Sequence, residues 1–374
     1  MRDFALEVHF SRWEFKARFN LTASDAQSLS VADLLALASP RERDEFHKLQ
    51  LGYTETFGAP ALRQEIAATY DSIDSDHVLC LAGAGEGIYV AMQVLLQPQD
   101  HMIVITPNYQ SAETVPLGKC EVSGVALNAN ANWSLDLERI RQALQPNTKL
   151  ISINFPNNPT GAIPALQTIT DLVSLCRQRG IWLFSDEVYR LIERDSALRI
   201  PQVADIYEKG LSLNVLSKAY GLPGLRIGWL ACQDRDALVR FERFKHFLSI
   251  CNSAPSEMLA IIALRARDTI LARNRKLVLE NTAIAADFFS RHPGLFEFTP
   301  PDGGCVCFTR YHGADGVEEF TRRLVDEAGV LLLPASIYRS DVGEVPQDYF
   351  RLGLGRAFVP QAFAAMDRWL AARK

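Results

Sequence analysis

Between residues 75 and 235 the chain alternates short apolar runs with longer stretches whose apolar positions recur at helical spacing. The runs HVLCLAG, HMIVITP, LISINF, IWLFSDE, LSLNVLS and RIGWLAC read as strands, and intervening stretches such as IPALQTITDLVSLCRQRG read as helix. Runs that are apolar throughout, rather than at every second residue, belong to strands covered on both faces. The pattern therefore predicts an α/β fold, with a mostly parallel sheet sandwiched by helices. From about residue 259 the pattern changes. A long Arg-rich helical stretch leads to shorter strands around PPDGGCVCFTRY and VLLLP, which predicts a second, smaller domain.

Composition excludes several classes without choosing among enzymes. With 374 residues, 48% hydrophobic and 22% charged, the chain can bury a large core. A formal net charge of −5 gives no electrostatic footprint for nucleic acid. No window reaches the roughly 18 consecutive apolar residues of a membrane span. The opening MRDFALEVHFSRWEFKARF interleaves charge too densely for a signal-peptide core, so the expected location is cytoplasmic. Seven cysteines at irregular spacings read as reduced thiols rather than a disulfide or zinc framework, and no metal is expected. Cys305 and Cys307 read as lying on opposite sides of a strand.

Candidate chemistry concentrates in SKAYGLPGLRIGW, residues 217–229, where Lys218 follows Ser217 and precedes Arg226 in a run broken by Gly and Pro. A lysine can form a Schiff base with a carbonyl cofactor, and an arginine fork can clamp its phosphate. A solvated lysine followed by a buried strand also fits the segment. Upstream, GAGEG at residues 83–87 follows an apolar run and opens a helical pattern, so backbone N–H groups there can approach a phosphate; a flexible helix entry fits equally. Asn158, in FPNNPTG, sits in a turn after a strand. Asp186 closes IWLFSD at the strand end where parallel sheets bind ligands, although an aspartate there can instead cap a helix.

In this order and spacing the phosphate loop, Tyr109, Asn158, Asp186, Tyr189, Lys218, Arg226 and Arg351 resemble the class I/II aminotransferases, a family of fold-type I pyridoxal-phosphate enzymes. The resemblance runs from about residue 20 to the C-terminus. It implies pyridoxal 5′-phosphate as cofactor, with Lys218 as Schiff-base lysine and general base, Asp186 paired with the pyridine nitrogen, and Asn158 and Tyr189 on the phenolic oxygen. Tyr109 would stack on the ring, and Ala84, Gly85, Ser217 and Arg226 would hold the phosphate. Arg351 would bind the substrate α-carboxylate. Tyr53 would reach the phosphate of the neighbouring subunit, making the active unit a homodimer with shared sites. The implied architecture is a seven-stranded-type sheet in a large cofactor-binding domain, residues 40–258, and a smaller α+β domain from residues 1–39 and 259–374, with the site in the cleft.

Departures from the common pattern shape the functional reading. Val215 stands where many relatives place a phosphate-binding serine, and Gly85 where others place a hydroxyl or lysine. Ser24, in NLTASDAQSLS, replaces the usual Gly-x-Pro on the substrate side. NL-x-x-S together with NVLSKAYGLPGLRIGW is similar to a branch that includes capreomycidine synthase-like proteins, which cyclise an arginine derivative with the same cofactor. The expected reaction is amino transfer between an L-amino acid and a 2-oxo acid, with a lyase or cyclase on the same scaffold as the alternative. Arg265, Arg267, Arg273 and Arg275 read as a solvated helix face rather than a pocket for acidic substrates.

Overall fold

The computed structural model describes residues 2–373. Its central element is a seven-stranded sheet in the order Val78–Leu81, Gly228–Ala231, Gly210–Val215, Trp182–Asp186, Thr148–Asn154, His101–Thr106 and Glu121–Ala126. The last five strands run parallel, and only Gly228–Ala231 is antiparallel to both its neighbours. The connection fits the reversal. Segment 216–227 contains only a short turn of helix, Pro223–Leu225, whereas parallel strands are usually joined through a full crossover helix.

Side chains of successive strand residues go to opposite faces. Leu79, Leu81, Met102, Val104 and Phe184 pack with Ile88, Met92 and Leu95 of the Ala84–Leu95 helix. Ile103, Ile105, Ile151, Ile153 and Leu183 pack on the other face with Ile169, Leu172 and Val173 of the Leu166–Arg179 helix. The Glu121–Ala126 strand escaped the sequence reading because it is an edge strand, with only Val122 and Val125 buried.

A second, antiparallel sheet orders Leu333–Pro334, Tyr349–Gly353, Val306–Tyr311 and Phe296–Glu297. Helices Arg267–Ser290, Gly316–Ala328 and Val359–Ala371 cover it through a core rich in aromatics, including Phe288, Phe320, Phe350 and Phe363. Cys305 and Cys307 both belong to this core, contrary to the expectation of opposite sides. Residues two apart on extended chain share a face. No helix among the described residues is long and apolar enough to cross a membrane.

The N-terminal segment joins the two sheets. Phe19–Asn20 pairs in parallel with Val330–Leu331, and the chain then runs beside the Tyr349–Gly353 strand, where Gly353 N–H donates to the Leu21 carbonyl at 2.8 Å. Further on, Ala26 N–H donates to the Lys218 carbonyl at 3.1 Å. The approach at Gly353 leaves no room for a side chain, since a Cβ there would lie 2.2 Å from the Ala23 carbonyl oxygen. Gly353→Ala is therefore expected to destabilise the protein by about 1–3 kcal/mol and to expose segment 18–26 to protease. Gly294→Ala, with nothing within 4 Å of the added Cβ, serves as the neutral control. Thermal melting with limited proteolysis checks both, and equal behaviour of the two variants would remove the packing argument.

Candidate active site

Asp186 ends its strand directly opposite Asn154 of the neighbouring strand. Asn154 Nδ2 donates to the Asp186 carbonyl at 2.9 Å, while its Oδ1 accepts the Asn158 N–H at 2.7 Å, so one amide fixes both the strand end and the turn after it. The Asp186 carboxylate accepts the Val188 N–H at 3.3 Å and has no ion-pair partner among the described residues. Burial pushes its carboxyl up to about 6, opposed by that hydrogen bond and by the charge of Lys218. The next residue, Glu187, belongs to the interior. It accepts Val203 N–H and Ser212 Oγ, both at 3.0 Å.

Lys218 follows the Gly210–Val215 strand and donates from Nζ to Ser24 Oγ at 2.8 Å. Burial lowers the pKa of its ammonium, with Asp25 opposing and Arg351 adding to the shift. Lys218 and Asp186 line one cavity of about 570 Å³. A lysine brought toward neutrality beside a buried carboxylate is suited to moving a proton.

One end of the cavity is built for an anion. Gly83, at φ 97°, enters the Ala84–Leu95 helix without any side-chain cap, which leaves helix N–H groups free for a ligand. Arg226 lies across this end, donating from Nη2 to the Ala82 carbonyl at 3.2 Å and from Nη1 to the Pro223 carbonyl at 3.4 Å. The backbone angle at residue 83 demands glycine, and a Cβ there would also push aside the Arg226 guanidinium that lies against it. Arg226 is exposed and forms no ion pair among the described residues.

Arg351 occupies the other end, on the strand facing Phe308 and Leu333. It is 1% exposed, yet its fork meets only neutral groups: Thr22 Oγ1 at 3.2 Å, the Thr22 carbonyl at 2.8 Å, Asn158 Oδ1 at 3.2 Å and Tyr338 Oη at 2.6 Å. A buried guanidinium without a carboxylate partner suits a carboxylate ligand. Tyr189, also 1% exposed, has no hydrogen-bond partner for its Oη among the described residues. Asn158 uses Oδ1 for Tyr338 and Arg351, and its Nδ2 makes no hydrogen bond within the described chain.

The cavity thus brings together Ser24, Ala84, Gly85, Tyr109, Asn158, Asp186, Tyr189, Ser217, Lys218, Arg226 and Arg351. Tyr53 is not among them; it is 92% exposed on the single chain. The sequence reading missed Asn154, Thr22 and Tyr338, whose places depend on strand register and on the crossing of the N-terminal segment. It also missed Glu7, Phe10 and Glu14, which the Ala5–Trp13 helix and the residue after it present to the cavity. Of the four helix arginines, Arg265 pairs with Glu42 and Glu65, and Arg275 binds the Glu193 and Arg194 carbonyls. Arg267 and Arg273 bind the Leu264 and Gln27 carbonyls, and none of the four lines the cavity.

These groups fit a planar pyridine bearing an aldehyde, a phenolic oxygen and a phosphate. Arg226 and the helix entry suit the phosphate, the unpartnered Tyr189 Oη and Asn158 Nδ2 suit the phenolic oxygen, and the unpaired Asp186 carboxylate suits a protonated ring nitrogen. Comparison with known proteins agrees with the fit. The family model described as aminotransferase class I and II matches residues 20–357. Capreomycidine synthase from Streptomyces vinaceus is 27% identical over 339 residues, covering 87% of this chain and 83% of that protein. Arginine–pyruvate transaminase AruH from Pseudomonas aeruginosa is 29% identical over 322 residues, covering 81% and 77%. A crystal structure of a PLP-dependent aminotransferase from Streptococcus suis superposes with a TM-score of 0.92 at 28% identity, covering 100% of this chain and 98% of that one. The cofactor is pyridoxal 5′-phosphate, and the chain belongs to the class I and II aminotransferase family.

Proposed function

We propose that this protein transfers an amino group from an L-amino acid to a 2-oxo acid. The observation that carries the reading is the placement of Lys218, Asp186 and a buried Arg351 without a carboxylate partner around one cavity. Pyridoxal phosphate supplies the aldehyde that takes up the amino group and the protonated ring that accepts electrons from the bond being broken. Arg351 holds the substrate carboxylate in its fork. Lys218 Nζ would take the proton from the substrate α-carbon and hold it for return. Asp186 keeps the ring nitrogen protonated, while Asn158 and Tyr189 donate to the phenolic oxygen. Arg226, Ser217 and the N–H groups of Ala84 and Gly85 retain the phosphate. Similarity to capreomycidine synthase supports a second reading, cyclisation or elimination by the same residues.

The deciding experiment incubates loaded enzyme with single amino acids and follows both products by mass spectrometry. Transamination gives a 2-oxo acid and the amine form of the cofactor in equal amounts. A cyclic or unsaturated product with the cofactor unchanged would replace this reading with the second. Borohydride reduction of the resting enzyme is expected to attach the cofactor at Lys218, and Lys218→Ala to retain it noncovalently with turnover lower by orders of magnitude. An adduct on another lysine would refute the assignment.

Asp186 makes opposite contributions to stability and chemistry. Burial holds its carboxyl at about 6, above the ordinary aspartate value of 3.8, so charging it destabilises the cofactor-free protein as pH rises through that interval. The cost reaches about 3 kcal/mol above pH 6 and vanishes below pH 3.8. Asp186→Asn should therefore raise the melting temperature of cofactor-free protein at pH 8 and lose that advantage toward pH 4, while turnover of the loaded enzyme collapses. A variant no more stable than wild type at pH 8 would refute the burial cost, and undiminished turnover would remove Asp186 from the chemistry.

Tyr53 and Leu51, two residues apart and both largely exposed on the single chain, support assembly into a homodimer in which Tyr53 serves the neighbouring site. Mixing Tyr53→Ala with Lys218→Ala subunits should then restore activity, because one site of each hybrid carries neither defect. A fully active monomer in sedimentation at assay concentration would rule out shared sites.

A further inference from the structure

The charges around the cavity do not all have a use in the proposed reaction. Its lining holds the carboxylates Glu7, Glu14, Asp25 and Asp186 and the cations Lys218, Arg226, Arg351 and Arg356. Asp25 and Arg356 neutralise each other, with both carboxylate oxygens on Nη2 at 2.8 and 2.7 Å. If the preceding reading holds, the cofactor engages Lys218, Asp186 and Arg226, and the substrate carboxylate engages Arg351. Glu7 and Glu14 are left without an ion-pair partner among the described residues. Among the described residues, Glu7 accepts only a long hydrogen bond from Tyr109 Oη, at 3.4 Å, and Glu14 makes no side-chain hydrogen bond or ion pair.

These two carboxylates belong to one built surface. Glu7, Phe10 and Glu14 follow one another at helical spacing, so the Ala5–Trp13 helix and its C-cap turn an apolar ring flanked by two acids toward the cavity. The Phe10 ring centre lies 5.9 Å from the Arg351 guanidinium carbon, which places the aromatic beside the carboxylate-binding end. The helix is held in place. Gln110 accepts the Ala5 N–H at 2.9 Å and donates to the Asp3 carbonyl at 2.8 Å, and Arg2 pairs with the buried Glu113 at 3.0 Å. Ligand binding in this cavity is indicated independently by Tyr189, 1% exposed with an unpartnered Oη, and by the uncompensated buried charge of Arg351.

We propose that the enzyme selects an L-amino acid whose side chain ends in an ammonium or guanidinium group, with its aliphatic stem on Phe10 and its charge at Glu14 and Glu7. Glu7 and Glu14 stand exposed at the cavity mouth; partial burial and the charges of Glu7 and Asp25 raise the Glu14 carboxyl, with Arg356 and Lys218 opposing, so a cation between the acids relieves their repulsion. A substrate ending in a carboxylate would meet the same two acids, and the one further cation of the described lining, Arg356, is already paired with Asp25.

The test separates selectivity from chemistry by measuring binding on cofactor-loaded Lys218→Ala protein, which cannot turn over. L-arginine and L-lysine should bind roughly tenfold or more tightly than L-norleucine and L-aspartate, the range of a hydrogen bond to a charged group. Glu14→Gln and Glu7→Gln, introduced into the same protein, should each narrow that ratio, and the wild type should show the matching order in kcat/KM. Binding of norleucine or aspartate as tight as that of arginine and lysine, or a ratio untouched by both glutamine variants, overturns the proposal. Selective binding of the cationic amino acids with no 2-oxo acid formed by the wild type would sustain the proposal and refute transamination. Transamination of aspartate or norleucine in preference to arginine and lysine would do the reverse.

Discussion

Burying the Arg351 guanidinium without an acidic partner is the constraint around which the rest of this molecule is arranged. Moving such a charge out of water costs on the order of several kcal/mol, and neutral hydrogen bonds recover only part of it. The groups that supply those bonds come from three separate places: Thr22 on the N-terminal segment, Asn158 in the turn after a central strand, and Tyr338 near the edge of the second sheet. A single side chain therefore ties together both sheets and the segment that crosses between them. The same arrangement leaves an attractive site for an anion, so the strain of holding the charge and the capacity to bind a carboxylate have one origin.

The low dielectric of the cavity acts on its other ionisable groups in the same direction. Burial raises Asp186 and lowers Lys218, bringing an acid and a base toward neutrality within one enclosed volume. Each pays for this in the empty site and recovers it when a ligand supplies the missing charge, which links occupancy to stability by mass action. Arg226 differs because it is exposed and needs no such compensation; it waits at an uncapped helix entry that glycine keeps open. The cavity is thus graded, from a solvent-facing end at Arg226 to a buried end at Arg351.

Much of the fold was legible in the chain itself. Strands buried on both faces must be apolar throughout, and helices packed on a sheet must carry an apolar stripe, so six strands of the large sheet and the Leu166–Arg179 helix could be located from local pattern alone. Lys218, Asp186, Asn158 and the residue 83–87 loop were legible because each follows a strand or opens a helix, where parallel sheets gather their ligands. The edge strand Glu121–Ala126 was not, since half-exposed positions need not be apolar.

What the tertiary structure alone decided is which distant residues complete the cavity. Asn154 looks like the end of any strand until register sets it opposite Asp186, and Asp186 and Glu187 are adjacent acids until the pleat sends one to the cavity and the other to the interior. Thr22 and Tyr338 reach Arg351 only because the N-terminal segment crosses beside Gly353. Glu7, Phe10 and Glu14 face the cavity only because their helix is pinned there through Arg2 and Gln110. Local sequence determines periodicity, and periodicity determines elements. The meeting of residues hundreds of positions apart depends on how those elements pack, and no local pattern records it.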